Sequence, residues 1–110
     1  MTFNQQKARF AAELSYSSAM GDGTYKPFSG TLTQNPALVI FDNQSTVTVT
    51  ISDDGATDGK TFVTGEAMIL DLRTNKLEPP GELTFPVGTQ FYAKSVAGSG
   101  SFLISMIFAA

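Results

Sequence analysis

The residues best placed for chemistry in this chain are the aspartates of Asp53-Asp54-Gly55-Ala56-Thr57-Asp58-Gly59. Carboxylates at such spacing hold calcium, which accepts irregular cages of oxygen ligands. Asp54, Asp58 and Gly59 occupy the first, fifth and sixth places of an EF-hand loop, but Ala56 stands third and Gly65 stands twelfth, where a bidentate Glu belongs. The match fails. A looser site built from Asp carboxylates and loop carbonyls competes with a simpler reading, an Asx-stabilised turn between two strands, because Asp-Gly is a strong turn dipeptide. We expect the turn, with no metal. A pair drawn from Asp53, Asp58, Glu66 and Asp71 would suit a glycosidase, yet that chemistry needs a deep cleft and one carboxyl held protonated, which a small domain without long insertions does not offer. Gly98-Ser99-Gly100 lacks the Lys-Ser/Thr ending and strand-loop-helix setting of a phosphate cradle, and reads instead as a hairpin between the last two strands.

Composition narrows the field further. The chain has 110 residues, enough for one domain, with 42% hydrophobic and 15% charged side chains and a formal net charge of −3. That balance excludes a disordered acidic tail and disfavours nucleic acid, whose binders carry basic surfaces. Cys and His are absent, which removes thiolate and imidazole ligands, a Cys nucleophile and a Ser-His pair. Trp is absent as well, so the indole platform used by many sugar-binding surfaces is missing. We therefore expect a protein that is not an enzyme and carries no cofactor. Met1 to Met20 includes Lys7, Arg9 and Glu13 among scattered apolar residues, which is not a signal peptide, and the reading is synthesis in the cytoplasm without export by that route. The most apolar run, Phe102 to Ala110, is too short to cross a bilayer as a helix, so no membrane partner is expected.

The elements that must position these residues read as antiparallel β structure. Thr46 to Ser52 alternates Val47, Val49 and Ile51 with hydroxylated residues, the pattern of a half-buried strand. Leu38 to Phe41 is a short apolar run ended by the turn formers Asp42-Asn43, and reads as a strand covered on both faces. Glu66 to Leu72, Gln90 to Ser95 and Ser101 to Phe108 are further strands, with shorter ones near Gly30 to Thr33, Lys60 to Val63 and Glu82 to Phe85. About eight strands at this spacing predict an all-β, antiparallel sandwich resembling a jelly roll, over residues 24–110. Residues 1–23 read as an N-terminal arm or short helix followed by a flexible connector. Two patterns compete there: Phe3, Phe10, Ala11 and Leu14 share a helical face with Thr2 and Gln5 at capping-box spacing, whereas Phe10, Ala12, Leu14 and Tyr16 alternate as in a strand.

One feature favours association over catalysis. In the last strand Phe102, Ile104, Met106 and Phe108 fall on one face and Leu103, Ile107 and Ala109 on the other, with Ser105 the only polar interruption, so both faces are apolar. Such a strand is either central and covered or meets another subunit. Phe3, Phe10, Leu14, Leu103 and Ile107 are accordingly the candidate interface residues, and a homo-oligomer is expected.

The order Phe41-Asp42-Asn43-Gln44-Ser45, a Val/Thr strand, Ile51-Ser52-Asp53-Asp54-Gly55, Thr57-Asp58-Gly59, Leu70-Asp71-Leu72-Arg73-Thr74-Asn75-Lys76 and Gly88-Thr89-Gln90-Phe91-Tyr92-Ala93-Lys94 resembles small virion structural proteins of tailed bacteriophages. The resemblance spans Leu38 to Ile107 and rests on turn and strand signatures. It implies a β-sandwich repeated in many copies on the particle, as a capsid decoration (cement) protein or as a head-to-tail or tail component. The partners so implied are copies of itself, with a trimer favoured, and other virion proteins such as the major capsid protein. The place implied is the virion, after synthesis in the host cytoplasm. A reading of another class is a carbohydrate-binding or adhesin module using Tyr16, Tyr25 or Tyr92 and a calcium loop at Asp53 to Asp58; a third, a small hydrolase, is nearly excluded by the residue inventory.

Overall fold

A computed structural model describes residues 8–33, 36–71 and 85–109. They form nine strands: β1 (Ala8–Phe10), β2 (Leu14–Ser17), β3 (Lys26–Thr31), β4 (Leu38–Asn43), β5 (Val49–Ser52), β6 (Lys60–Phe62), β7 (Ala67–Asp71), β8 (Gln90–Lys94) and β9 (Ser101–Ala109). All pairings are antiparallel. The first sheet has the order β1-β9-β4-β7, with β2 also on β9, and the second has the order β3-β8-β5-β6. The chain is the all-β antiparallel sandwich that its alternation and turn spacing predict. The expected strand at Glu82 to Phe85 falls largely on residues outside those described, as do Phe3 and the Thr2/Gln5 cap.

The N-terminal stretch from Ala8 is sheet rather than helix. Its pairing explains which residues face inward. Phe10 lies opposite Ile107 and Leu14 opposite Ile104, so four steps along the first strand pair match three along β9. One extra residue in the break at Ala11–Glu13 therefore reverses the face, because side chains alternate with period two. Phe10 points outward at 87% exposure while Leu14 is buried at 4%. The connector read as flexible also contributes to the core: Ser18, in a single 3-10 turn, is fully buried, and its hydroxyl donates to the Gly100 carbonyl.

The core lies between the two inner faces. Val39, Phe41, Phe102, Ile104 and Met106 of the first sheet meet Phe28, Val49, Ile51, Phe62, Phe91 and Ala93 of the second, all buried. Rings span the gap: Phe62 packs edge-on to Phe102 at 5.0 Å, Phe28 to Phe102 at 5.9 Å and Phe41 to Phe91 at 6.0 Å. Such pairs add about 0.5–1.5 kcal/mol each beyond the area they bury. The one buried hydroxyl of the aromatic set, Tyr16, is satisfied by Ser95 Oγ at 2.8 Å.

Three expectations are corrected. β4 is covered on one face only within the described chain, since Val39 and Phe41 are buried while Leu38 and Ile40 are half-exposed. Asp42-Asn43 does not end that strand; Asn43 is its last residue and is fully buried. Gly98-Ser99-Gly100 is not a hairpin, because β8 and β9 belong to different sheets. The segment crosses from one sheet to the other. Gly100 adopts φ 81° with its Cα so close to the Gln44 carbonyl that an added Cβ would lie 2.7 Å from it, which only glycine accommodates.

Candidate functional site

The Asp53–Gly59 loop closes on its own hydrogen bonds. Asp54 Oδ1 accepts from the Ala56 and Thr57 amides, both at 2.8 Å, and from Ser52 Oγ at 2.8 Å. Ser52 Oγ in turn accepts from the Asp54 and Gly55 amides at 3.2 and 3.0 Å. Donation by these backbone amides and the hydroxyl holds the Asp54 carboxyl far below the usual carboxylate range. At the far end, Asp58 accepts from Tyr25 and from Lys94 Nζ, the latter at 3.0 Å, and both lower its pKa. The Lys94 ammonium also sits 4.8 Å over the Tyr25 ring. Burial, then the hydrogen bond to Asp58, pushes the Tyr25 phenol up to about 12.

The loop aspartates are thus divided among separate tasks. Asp54 organises the turn, Asp58 anchors it to β8 and the Tyr25 ring, and Asp53 is exposed with no hydrogen bond or ion pair among the described residues. No group of three or more acidic side chains converges as a metal cage among those residues. Of the other carboxylates weighed for acid and base roles, Glu66 pairs with Lys60 at 3.5 Å and accepts from the Val63 amide at 3.0 Å, while Asp71 ends β7. The amides of the Gly98-Ser99-Gly100 crossing are engaged too: Gly98 donates to the Ser18 carbonyl and Ser99 to Thr46 Oγ1, both at 3.0 Å. The three tyrosines do not form a sugar platform. Tyr16 is buried at 3%, a correction to its reading as exposed; Tyr25 lies under Lys94; Tyr92 packs beneath Gly55.

The outer face of the first sheet carries the more distinctive arrangement. Cross-strand register sets Phe10, Ile107, Leu38 and Asp71 in one row, Ser105, Ile40 and Ile69 in the next, and Ser15, Leu103, Asp42 and Ala67 in a third. Leu38, Ile40, Ile69, Leu103 and Ile107 therefore share one largely apolar face, with Phe10 at its β1 margin, Ser105 and its Glu13 partner between Leu103 and Ile107, and the two aspartates at its rim. Ile69 is 65% exposed. Of the five candidate interface residues, the fold brings Phe10, Leu103 and Ile107 together. Leu14 is excluded as a core residue by the one-residue shift described above, and Phe3 lies outside the described residues. Leu38, Ile40 and Ile69 were missed because a run without alternation gives no cue to which face is outward; Ile69, opposite Met68 and Leu70 within its own strand, was the available signal.

Among the described residues no helix is long and apolar enough to cross a membrane. No family model, curated protein or solved structure matches the chain.

Proposed function

We propose that this chain is a structural protein of a tailed-bacteriophage virion, a capsid decoration (cement) protein that assembles with copies of itself and docks on other virion proteins such as the major capsid protein. The reading includes no catalysis and no cofactor, and a head-to-tail or tail position is its nearest variant. The observation that carries it is the apolar outer sheet face of Leu38, Ile40, Ile69, Leu103 and Ile107. An apolar face of this kind, half-exposed at four residues and open at Ile69, suits a protein contact, and assembly surfaces are what a repeated virion subunit requires. The self-bonded Asp53–Gly59 loop and the buried or covered tyrosines favour it over a glycan-binding module.

The test is the mass of the purified protein in solution, with the variants Ile40→Asp and Ile69→Asp. The wild type should form a defined oligomer, a trimer above all, and bind virion shells lacking this subunit. Each variant should fold and fail in one or both contacts, since a carboxylate repeated around a symmetric interface repels its copies. A monodisperse monomer that binds no shell, or glycan binding on an array, would overturn the reading.

A further inference from the structure

Along the side where β6 and β7 end their sheets, the sandwich opens into an apolar cavity of about 220 Å³. Phe41, Phe62 and Phe91 line it from the core, Met68 and Leu70 line it from β7, and its charged lining is Asp53 and Lys60, the latter paired with Glu66 at 3.5 Å. An apolar cavity of about 150 Å³ is enough to hold a benzene ring, so this one accepts a phenyl group with room for its approach. The opposite side of the first sheet ends in β1, where Phe10 is 87% exposed. Its neighbour in sequence, Arg9, lies on the opposite face of this edge strand, exposed and without a hydrogen-bond or ion-pair partner among the described residues. Asp53, equally free of such partners there, is the matching charge.

We infer, on the reading that copies of this chain associate, that the Phe10 ring of one copy seats in the Phe41/Phe62/Phe91 cavity of the next, with Arg9 of the first copy against Asp53 of the second. Three observations converge on this occupant. The ring and the cavity match in size and in chemistry, with aromatic walls that take a further ring edge-on. Each side also carries one charge unpaired among the described residues, Arg9 on the edge strand that bears Phe10 and Asp53 in the cavity lining, where Lys60 is already paired with Glu66. Finally, knob and hole lie at opposite lateral edges of the same sandwich, so neither can satisfy the other within one chain. The contact is heterologous: each copy gives a ring to one neighbour and receives one from another, which closes into a ring of subunits or continues as a filament. It draws on Phe10 at the β1 margin of the outer-face patch and leaves Leu38, Ile40, Ile69, Leu103 and Ile107 free for the other contact.

The experiment is light scattering on the intact chain over a wide concentration range. Phe10→Ala should weaken association roughly tenfold to a hundredfold, the equivalent of one phenyl group left in water, with an unchanged melting temperature because the ring is exposed in the monomer. Met68→Trp, which fills the cavity from within, should do the same. Mixing these two variants leaves one usable knob and one open cavity, so through this contact they should pair one to one, without the ring or filament it builds in the wild type. Should Met68→Trp fail to fold, the charge pair supplies an independent check on the surface: Arg9→Glu and Asp53→Arg should each weaken assembly, and the double variant should restore it. If the wild type assembles and Phe10→Ala assembles equally well, this contact is overturned while the assembly reading stands. A wild type that stays monomeric throughout overturns both.

Discussion

Asn43 offers the sharpest test of how the two sheets are joined. It closes β4 of the first sheet with no exposure, and its Nδ2 donates to the Val47 and Phe62 carbonyls, each at 3.0 Å, on the way into and within the second sheet. Its Oδ1 accepts from the Ser45 amide at 3.1 Å and the Ser45 hydroxyl at 2.6 Å. Asn43→Asp keeps the shape and the acceptor but removes the donors. When protonated, the new side chain has one O–H for the buried Phe62 carbonyl, and the part-buried Val47 carbonyl keeps the Ser45 hydroxyl 3.0 Å away, so the loss is at most about 1–3 kcal/mol. When ionised, it leaves the Phe62 carbonyl unpaired and puts a charge in the core beside the negative ends of both carbonyls. The carboxyl is therefore held neutral, with a folded-state pKa raised above its unfolded value near ~3.9. The added penalty is absent below that value, grows as pH rises, and levels off above the folded-state pKa. At ~1.4 kcal/mol per unit, an upward shift of ~3 units makes the deficit at neutral pH about 4 kcal/mol larger than the deficit in acid. That is a large share of the ~5–15 kcal/mol typical of a domain. Urea unfolding of wild type and variant at pH 4 and pH 7 would measure it, with Asn43→Ala as a control whose deficit should not depend on pH in this way. A variant as stable as wild type at pH 7, or one whose deficit does not shrink in acid, would refute the assigned roles of the two Nδ2 hydrogen bonds.

Val49 is fully buried and Thr48 beside it is exposed, so Val49→Asp should abolish cooperative thermal unfolding and Thr48→Asp should leave it intact. Asp22, lowered to about 2 by Thr24 and Lys26, and Asp54 and Asp58, also lowered, contribute stability that is present above about 4 and declines as pH falls through the folded-state values; the melting-temperature advantage of wild type over Asp54→Asn should accordingly shrink in acid. A chelator should leave the melting temperature unchanged, whereas a calcium ion bound to the native loop would raise it by mass action. Gly100→Ala should lower it measurably, since the added methyl meets both a strained φ of 81° and the Gln44 carbonyl.

The sheet core was legible where alternation was unbroken. Val49 and Ile51 are inward as their spacing predicts, and Phe102, Ile104 and Met106 share the buried face of β9. Legibility failed where pairing, rather than period, decides the face. The break at Ala11–Glu13 inserts a residue relative to β9 and separates Phe10 from Leu14, although their spacing in sequence puts them on one side of a strand. Asn43 reads as a turn former and yet is buried at the end of a strand, because its side chain satisfies the Phe62 carbonyl, which only the tertiary fold brings near. The outer patch was half legible for the same reason: Leu103 and Ile107 stood out in an apolar strand, but their neighbours Leu38, Ile40 and Ile69 come from β4 and β7.

The central position of β9 has a bearing on how the molecule is made. Leu14 pairs with Ile104, about ninety positions away, and β4 pairs with the same strand from its other side. Neither β1 nor β2 nor β4 can complete its ladder on that side until residues 101–109 have been synthesised, so the first sheet closes only after the second has all its strands. Closure across such long loops is slow, because chain entropy opposes it before any contact compensates. During that interval the apolar faces of β4 and β7 and their unpaired edges are open to neighbouring chains. Nascent copies held close together would be prone to trade strands at this step, and the yield of correctly folded protein should fall as expression rate and temperature rise.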